Sequence, residues 1–286
     1  MLLSISKLKI MVMVLTIGTT LVAEIKQDFK HIKCEIRPRA RTSVRKPHPR
    51  MPFLGKRKKN ATASSTNWSG YVAATNLANP ARYSVTQVSG SWIVPNLQSS
   101  PVDTSASIWV GIDGSGSPTV EQLGTEHDVT SGKQSHYAWY EMYPQGSNEI
   151  VGFPVNVGDS ISASVTYIAL NGVIPASSDL FILQLVNNTR RMYTYIPYIT
   201  NVKMERLCAE WIVEAPYLNA ILPLSNFGTV FVSNCSAVIG NIDGSISSSA
   251  WVNESMDMVS PAGVAKAATS ALSADGKSFS VVWKSN

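Results

Sequence analysis

The chain has 286 residues, of which 44% are hydrophobic, so it is long enough for a sizeable core and has the composition of a globular protein. Its net charge of +5 is unevenly distributed: residues 1–60 hold 15 Lys or Arg and three acids, whereas residues 61–286 hold 9 basic and 16 acidic side chains. The acidic part offers no basic surface, so the composition argues against nucleic acid as a partner.

Residues 1–23 have the pattern of a targeting segment. Lys7 and Lys9 precede an apolar run over residues 10–23, which is as long as a signal peptide and short for a membrane span. Leu21 lies at a position where signal peptidases favour a small residue, if cleavage follows Ala23. We predict a secreted protein, with a retained membrane anchor as the alternative.

Residues 24–60 form a segment that we call the basic arm. It ends in KRKK at 56–59 and holds four prolines, Pro38, Pro47, Pro49 and Pro52. A segment of this composition buries little apolar surface, so we predict that it is disordered by itself. In an exported protein it is interpreted as a pro-segment that lies over the acidic domain and is removed by cleavage near Lys59. A disordered basic tail is the alternative.

Short runs rich in Val, Ile, Thr, Tyr, Ser and Trp follow one another through residues 61–286, separated by Gly, Asn, Asp and Pro. Six of them are SVTQVSGSWIVP (84–95), SIWVGIDG (107–114), YAWYEMYP (137–144), SISASVTYIAL (160–170), GTVFVSNCSAV (228–238) and SFSVVWKS (278–285). Few windows keep a helical period. The pattern therefore predicts one all-β domain over 61–286, a sandwich or a barrel.

Alternation of side chains along these strands predicts a binding groove. In the runs 107–113, 120–126, 137–143 and 209–214, one face is largely apolar. The other face holds aromatic, amide and acidic side chains, namely Trp109, Asp113, Gln122, Glu126, Tyr137, Trp139, Glu141, Tyr143, Glu210 and Glu214. Aromatic rings among carboxylates are typical of a binding groove on a sheet.

Glu210 and Glu214 lie four residues apart on one predicted strand face. Four steps of about 3.4 Å separate them by roughly 13–14 Å, whereas paired glycosidase carboxylates lie about 5–9.5 Å apart. The two glutamates therefore do not form a catalytic pair with each other. If either one acts, its partner comes from another strand.

Other catalytic and binding patterns are weak. The sequence has no G-x-S-x-G motif, and His127 and His136 lack a third ligand at metal-binding spacing, so we interpret them as core or surface histidines. In an oxidising compartment Cys208 and Cys235 could form a disulfide, or both could be small buried hydrophobic residues.

Six segments in order resemble the glutamic peptidases, or eqolisins. They are NWSGY (67–71), WVGIDG (109–114), VEQLGTE (120–126), YAWYEMYP (137–144), AEWIVEAP (209–216) and LPLSNFGTVFVSN (222–234). The resemblance spans nearly all of residues 67–286. It implies a bent antiparallel β-sandwich that cleaves peptide bonds at acid pH without metal or cofactor.

By motif position, the resemblance assigns the catalytic roles to Gln122 and Glu214. The implied substrate-binding residues are Trp68, Trp109, Asp113, Glu126, Trp139 and Glu141. Tyr137 is a departure, because the fungal members have an acid at this position, which affects specificity rather than chemistry. Glu210 is expected to be a neighbour in the groove.

The implied chemistry is physically reasonable. Glu214 can act first as a general base and then as an acid, while the Gln122 amide can hold the water and donate to the oxyanion. The nearby Asp113, Glu126 and Glu141 are expected to disfavour further negative charge. We expect a monomer that acts on protein or peptide substrates, with no membrane partner in the mature form.

Two alternatives use the same groove. The first is a lectin-like β-sandwich that binds carbohydrate through its tryptophans without catalysis. The second is a glycosidase that uses two groove carboxylates, such as Glu141 and Glu214.

Overall fold

The computed structural model describes residues 28–39, 62–169 and 178–286. The predicted targeting segment, 1–23, and the proposed cleavage region near Lys59 lie outside these ranges. The described residues contain no α-helix, and thus no helix long and apolar enough to cross a membrane. The predicted all-β class is confirmed.

Twenty strands make up the described fold. They are β1 (Lys30–His31), β2 (Glu35–Pro38), β3 (Ala63–Ser65), β4 (Trp68–Ala74), β5 (Val85–Ile93), β6 (Thr104–Asp113), β7 (Val120–Thr130), β8 (Lys133–Tyr143), β9 (Asn148–Val151), β10 (Ser160–Ile168), β11 (Leu180–Asn187), β12 (Met192–Ile199), β13 (Cys208–Glu214), β14 (Tyr217–Leu218), β15 (Ala220–Ile221), β16 (Thr229–Ile239), β17 (Ile242–Gly244), β18 (Val252–Val259), β19 (Ala265–Thr269) and β20 (Phe279–Trp283).

Hydrogen-bonded pairing links all of these strands except β14 and β15 into one continuous sheet with two halves. The front half runs β2-β9-β8-β7-β6-β13-β4-β18, with β3 beside β18. The back half runs β20-β16-β5-β10-β11-β12-β1, with β17 beside β16. Strand β19 pairs with β18 and β20 and so joins the halves.

Two buried tryptophans connect the halves directly. The indole N–H of Trp92, on β5, donates to Thr125 Oγ1 on β7 at 2.8 Å. The indole N–H of Trp211, on β13, donates to the carbonyl of Ser89 on β5 at 2.7 Å. The main hydrophobic core includes both tryptophans and residues from both halves. The halves therefore pack against each other through side chains that point inward.

The pairing differs in one respect from the wholly antiparallel sheet that the resemblance implies. Strand β1 runs parallel to β12, and β3 runs parallel to β18, while the other pairs are antiparallel. Both parallel pairs involve two- or three-residue strands from the part of the chain that precedes β4.

The prediction that the whole basic arm is disordered is wrong for residues 28–39. Strand β1 pairs with β12 of the back half, and β2 pairs with β9 of the front half. Long-range backbone pairing thus orders part of a segment whose composition alone argues against order.

The structure describes the surroundings of Cys208, Cys235, His127 and His136, the cysteines and histidines considered above. Cys208 and Cys235 are both free and buried, so the disulfide considered from the sequence does not form. His127 is buried and its Nδ1 lies 2.9 Å from Nδ1 of the partly buried His136. Within the described ranges, no group of three or more metal-binding side chains comes together.

Candidate active site

Strand β13 is central in the front half and is buried along its whole length. Glu210 and Glu214 lie on the same face of β13, and both side chains are fully buried. Burial of a carboxylate is costly unless a partner compensates for the lost water. Two such groups in a central strand therefore indicate a functional constraint.

Strand register places the candidate residues in three rows across β13, β6, β7 and β8. The Glu214 row contains Glu214, Ser107, Glu126 and Tyr137. The Trp109 row contains Ile212, Trp109, Gly124 and Trp139. The Gln122 row contains Glu210, Gly111, Gln122 and Glu141. We call the surface formed by these three rows the cleft face.

Two donors hold the carboxylate of Glu214. The indole N–H of Trp109 donates to Oε2 at 2.8 Å, and the side-chain amide of Asn67 lies 3.4 Å from Oε1. A buried carboxylate needs such donors to replace the water that it has lost. The two donors therefore compensate in part for the burial of Glu214.

Gln122 is buried, and its amide orientation is defined by one neighbour. Its Nε2 donates to Oε2 of Glu141 at 2.5 Å. Its Oε1 is buried and has no hydrogen-bond partner among the described residues. A buried carbonyl without a partner is costly, which a bound water would relieve. Gln122 therefore offers an acceptor for such a water.

Trp109 lies in the row between the two predicted catalytic residues. Its ring also reaches towards Gly111, where an added Cβ would lie 3.0 Å from Trp109 Cζ3 and 3.2 Å from Gln122 Cβ. Trp68 packs edge-on against the Trp109 ring with centroids 5.2 Å apart. The Trp109 indole therefore separates Gln122 from Glu214 on the cleft face.

Glu126 is fully buried in the Glu214 row. Its Oε2 accepts a hydrogen bond from Ser107 Oγ at 2.5 Å and pairs with the guanidinium of Arg39 at 3.1 Å. Its Oε1 has no hydrogen-bond partner in the described part of the chain. Arg39 belongs to the basic arm, so the arm reaches the cleft face.

The surroundings of Glu210 favour the protonated, neutral form of its carboxyl group. Its Oε1 accepts the backbone N–H of Ser115 at 2.8 Å, and the thiol of Cys208 lies 3.5 Å away. Burial raises the pKa of Glu210 well above its ordinary value, and the charges of Asp113 and Glu214 raise it further. Glu210 therefore carries a proton under acid conditions and holds the loop after β6.

Asp113 ends β6 with its carboxylate turned towards another loop. It accepts the backbone N–H groups of Arg206 at 2.7 Å and Leu207 at 2.6 Å, and the hydroxyl of Thr119 at 3.1 Å. Burial raises the pKa of Asp113 to about 6, although these donors oppose the shift. Asp113 therefore anchors the 206–207 backbone.

The remaining groove residues proposed from the sequence are Trp139, Glu141 and Trp68, and they lie on or next to the cleft face. Trp139 is fully buried in the Trp109 row, and Glu141 is buried beside Gln122. Trp68 pairs across the strand with Glu214. Three contributors were not singled out from the sequence, Asn67, Ser107 and Arg39. Asn67 is the first residue of the NWSGY motif. For Arg39, the sequence signal is the charge difference between the basic arm and the acidic domain, which indicates that an arm cation contacts a domain carboxylate.

Comparison with known proteins identifies the chain's relatives. The model of the Peptidase A4 family matches residues 66–281. Aspergillopepsin-2 of Aspergillus niger is 28% identical over 200 residues, which are 62% of this chain and 65% of that protein. Scytalidopepsin B of Scytalidium lignicola is 34% identical over 116 residues, 40% of each chain. The matched regions thus span about two-fifths to just under two-thirds of these relatives.

Two solved structures share the fold. A scytalido-glutamic peptidase bound to a transition-state analogue inhibitor aligns with a TM-score of 0.61 at 22% identity, covering 77% of this chain and 99% of that one. The aspergilloglutamic peptidase of Aspergillus niger aligns with a TM-score of 0.52 at 27% identity, covering 63% of this chain and 99% of that one. Because the family model spans most of the sequence, the chain belongs to the Peptidase A4 family.

Proposed function

We propose that the protein is a secreted, acid-active glutamic endopeptidase in which Glu214 and Gln122 hydrolyse peptide bonds. The observation that carries the proposal is the cleft face itself. On one surface it holds a glutamate that accepts two hydrogen bonds and a glutamine whose buried carbonyl has no hydrogen-bond partner within the described ranges, with a tryptophan between them. Family membership supports the same chemistry.

In this mechanism Glu214 accepts a proton from a water that attacks the substrate carbonyl. The Gln122 Oε1 holds that water, and its Nε2 donates to the oxyanion after leaving Glu141. Glu214 then gives the proton to the departing amine as the C–N bond of the peptide breaks. All of the proposed chemistry uses side chains of this chain.

An acid operating range follows from the number of carboxyl groups on the cleft face. Glu126 and Glu214 lie in one outer row of the cleft face and Glu141 and Glu210 in the other, so full ionisation would place several like charges within one buried surface. Acid pH protonates some of them and reduces the repulsion. The excess of acidic residues in 61–286 has the same consequence for the whole domain.

The glycosidase alternative is less favoured by the register. Glu141 lies on β8, one strand farther from Glu214 than Gln122 does, and its carboxylate accepts the Gln122 amide. A lectin-like function would assign no role to the buried Gln122 carbonyl or to the hydrogen bonds that hold Glu214. Neither alternative uses the two residues as fully as peptide hydrolysis does.

Substitution of the two residues tests the proposal. Glu214→Gln and Gln122→Ala should each reduce cleavage of a quenched peptide at pH 3–4 by about 10²-fold or more, with the fold intact by circular dichroism. Glu205→Gln is the matched control, because Glu205 pairs with the exposed Arg82 on the surface. Near-normal cleavage by folded Glu214→Gln would refute the assignment.

Glu210→Gln separates the two glutamates of β13. Because Glu210 is expected to be protonated at acid pH, a glutamine mimics its neutral form, and the variant should lose far less activity than Glu214→Gln. A complete loss in Glu210→Gln with full activity in Glu214→Gln would reverse the assignment of the base.

A further inference from the structure

The described part of the basic arm is attached to both halves of the sheet. On the back half, Lys30 and His31 pair in parallel with Met192 and Tyr193. On the front half, β2 pairs along its four residues with β9, next to β8 of the cleft face. The arm thereby adds a strand to an outer strand of each half, and its next residue, Arg39, lies beside the cleft face.

Arg39 is buried among cleft residues, unlike Arg37 of the same arm. Its guanidinium lies 3.1 Å from Glu126 Oε2, and Nη2 donates to the Tyr137 hydroxyl at 2.6 Å. It also lies over the rings of Tyr137 and Trp139, with distances of 5.3 and 5.7 Å to the centroids. Arg37, two residues earlier, is 58% exposed and pairs with the exposed Glu35.

The pocket around Arg39 is a built site for a guanidinium group. A carboxylate, a phenol hydroxyl and two aromatic faces surround the cation, which combines an ion pair, a hydrogen bond and cation–π contacts. Glu126 and Tyr137 lie in the same row as Glu214, and Trp139 lies in the same row as Trp109. The pocket is therefore continuous with the surface over which a substrate would lie.

We propose that the arm is an intramolecular competitor of substrate: Arg39 fills a pocket formed by Glu126, Tyr137 and Trp139 that otherwise receives an arginine side chain of a bound peptide. This inference rests on the proposed function, since it names a substrate feature that the same cleft recognises. Tyr137 matters here, because its hydroxyl accepts the guanidinium hydrogen bond. The arm must leave the pocket before such a peptide can bind.

The contact between Arg39 and Glu126 is a buried ion pair. Removing one partner of such a pair is strongly unfavourable, because the remaining charge stays buried. Release of the arm therefore leaves Glu126 without its cation, and the arginine of a bound peptide supplies a replacement.

Binding measurements on the intact precursor test the proposal without relying on catalysis. The background is full-length Glu214→Gln protein, whose intact arm is checked by mass spectrometry. The probe is a fluorescent peptide with one central arginine, compared with the same peptide carrying glutamine there. In this background Arg39→Gln should bind the arginine peptide about tenfold more tightly, equal to about 1.4 kcal/mol.

Arg37→Gln is the matched control, because it removes an arginine two residues away in the same arm without emptying the pocket. Its affinity should change less than about twofold, since its ion pair is exposed. The glutamine peptide should bind Arg39→Gln protein at least several-fold more weakly than the arginine peptide. Equal affinities of the Arg39→Gln and Arg37→Gln proteins for the arginine peptide would overturn the proposal.

Amide hydrogen exchange provides a readout that separates competition from a purely structural role. Arg39→Gln should speed exchange across β2 and β9 while leaving β13 protected. Arg39→Lys, which keeps the charge but loses the planar donor group, should give intermediate affinity and exchange. Faster exchange without any gain in affinity for the arginine peptide would show that Arg39 only stabilises the arm and would overturn the proposal. If the peptide binds as expected but the processed protein cleaves no peptide, the proposed peptidase function is wrong, whereas the proposed arginine pocket is supported.

Discussion

The indole N–H of Trp109 donates a 2.8 Å hydrogen bond to Oε2 of Glu214, and both side chains are buried. The two residues lie on neighbouring strands and in neighbouring rows, with Ile212 directly across from Trp109. The tryptophan therefore acts on Glu214 as a fixed donor, and its ring also separates Glu214 from Gln122. Its loss should alter chemistry more than folding.

Trp109→Phe should lower kcat/KM for a quenched peptide by about tenfold, which corresponds to one hydrogen bond to a charged group. The acid limb of the pH–rate profile should move to higher pH, because a donor that favours the charged carboxylate is lost. The measurement is a full pH–rate profile of processed protein. An unchanged acid limb would show that the hydrogen bond does not influence the titration that controls activity.

Trp251→Phe is the matched control for this substitution. Its indole N–H donates to the carbonyl of Ile246 at 3.1 Å, and it is also buried. Trp109→Phe and Trp251→Phe should each lower the free energy of unfolding by about 1 kcal/mol. Only Trp109→Phe should move the pH–rate profile. A shift of similar size in both variants would point to general loosening of the fold.

Alternation along strands was sufficient to place Trp109, Gln122, Glu126 and Glu214 on one face, because side chains of a regular strand alternate whatever the partner strand is. At Asp113 the regular strand ends with a φ of 68°, and the carboxylate binds the backbone N–H groups of Arg206 and Leu207, which alternation does not predict. A positive φ at a non-glycine residue is uncommon, and the sequence provides only the following Gly114 as a signal.

The offset between Gln122 and Glu214 and the position of Arg39 required the structure. Register across β13, β6 and β7 decides that the two predicted catalytic residues lie in different rows, and single-strand patterns contain no register. Arg39 reaches Glu126 because β2 pairs with β9, more than a hundred residues later in the chain. The charge balance of the sequence indicates that the arm is attracted to the domain. It does not indicate which arginine of the arm is buried.

Glu121→Gln should raise stability at neutral pH and leave it nearly unchanged at pH 4. Glu121 is fully buried on the inward side of β7, and burial, followed by the charge of Asp113, raises its pKa well above the ordinary value. The folded state therefore holds a proton that the unfolded chain releases above about pH 4.5, so stability is lost as the pH rises from there towards the raised pKa.

The measurement is thermal unfolding at pH 4.0 and 7.5. The Tm of Glu121→Gln should rise by several degrees relative to the parent at pH 7.5 only, since about 1 kcal/mol corresponds to 2–4 °C for a chain of this size. Asp243→Asn, at an exposed position on β17, should show the same small change at both pH values. A gain of equal size at pH 4.0 would mean that Glu121 is not protonated in the folded state.

His127→Gln should reduce the stability lost on mild acidification. Burial, followed by the charge of His136, lowers the pKa of His127 well below its ordinary value, and burial lowers the pKa of His136. The unfolded chain binds protons at these histidines below about pH 6.5 while the folded state does not, so stability falls as the pH drops from 6.5 towards the lowered pKa values.

Urea unfolding at pH 7 and pH 5 measures this contribution. The variant should be less stable than the parent at pH 7 by about 1–2 kcal/mol, because its hydrogen bonding with Thr125 and His136 is disturbed. Its further loss between pH 7 and pH 5 should be smaller than that of the parent. His31→Gln, on the exposed β1, should keep the parental pH dependence. A pH dependence in His127→Gln that matches the parent would exclude His127 as its source.

Gly114→Ala should destabilise the fold and impair the site through two separable causes. Gly114 has φ +112°, which L side chains rarely adopt, and an added Cβ would lie 2.7 Å from Glu210 Oε2 and 2.9 Å from Trp68 Cη2. Gly152→Ala isolates the first cause, because Gly152 has φ +90° and nothing within 4 Å of the added Cβ. Backbone strain should cost both variants about 1–3 kcal/mol.

The displacement of Glu210 and Trp68 should add about 1–3 kcal/mol in Gly114→Ala alone. Because Trp68 packs on the ring that holds Glu214, Gly114→Ala should also lower kcat at 25 °C, where both variants remain folded, while Gly152→Ala keeps parental kcat. Chemical denaturation and steady-state kinetics on the same preparations measure the two effects. Equal destabilisation and equal kcat in the two alanine variants would show that Trp68 and Glu210 adjust freely, and that the close approach at Gly114 is not required to position Trp109.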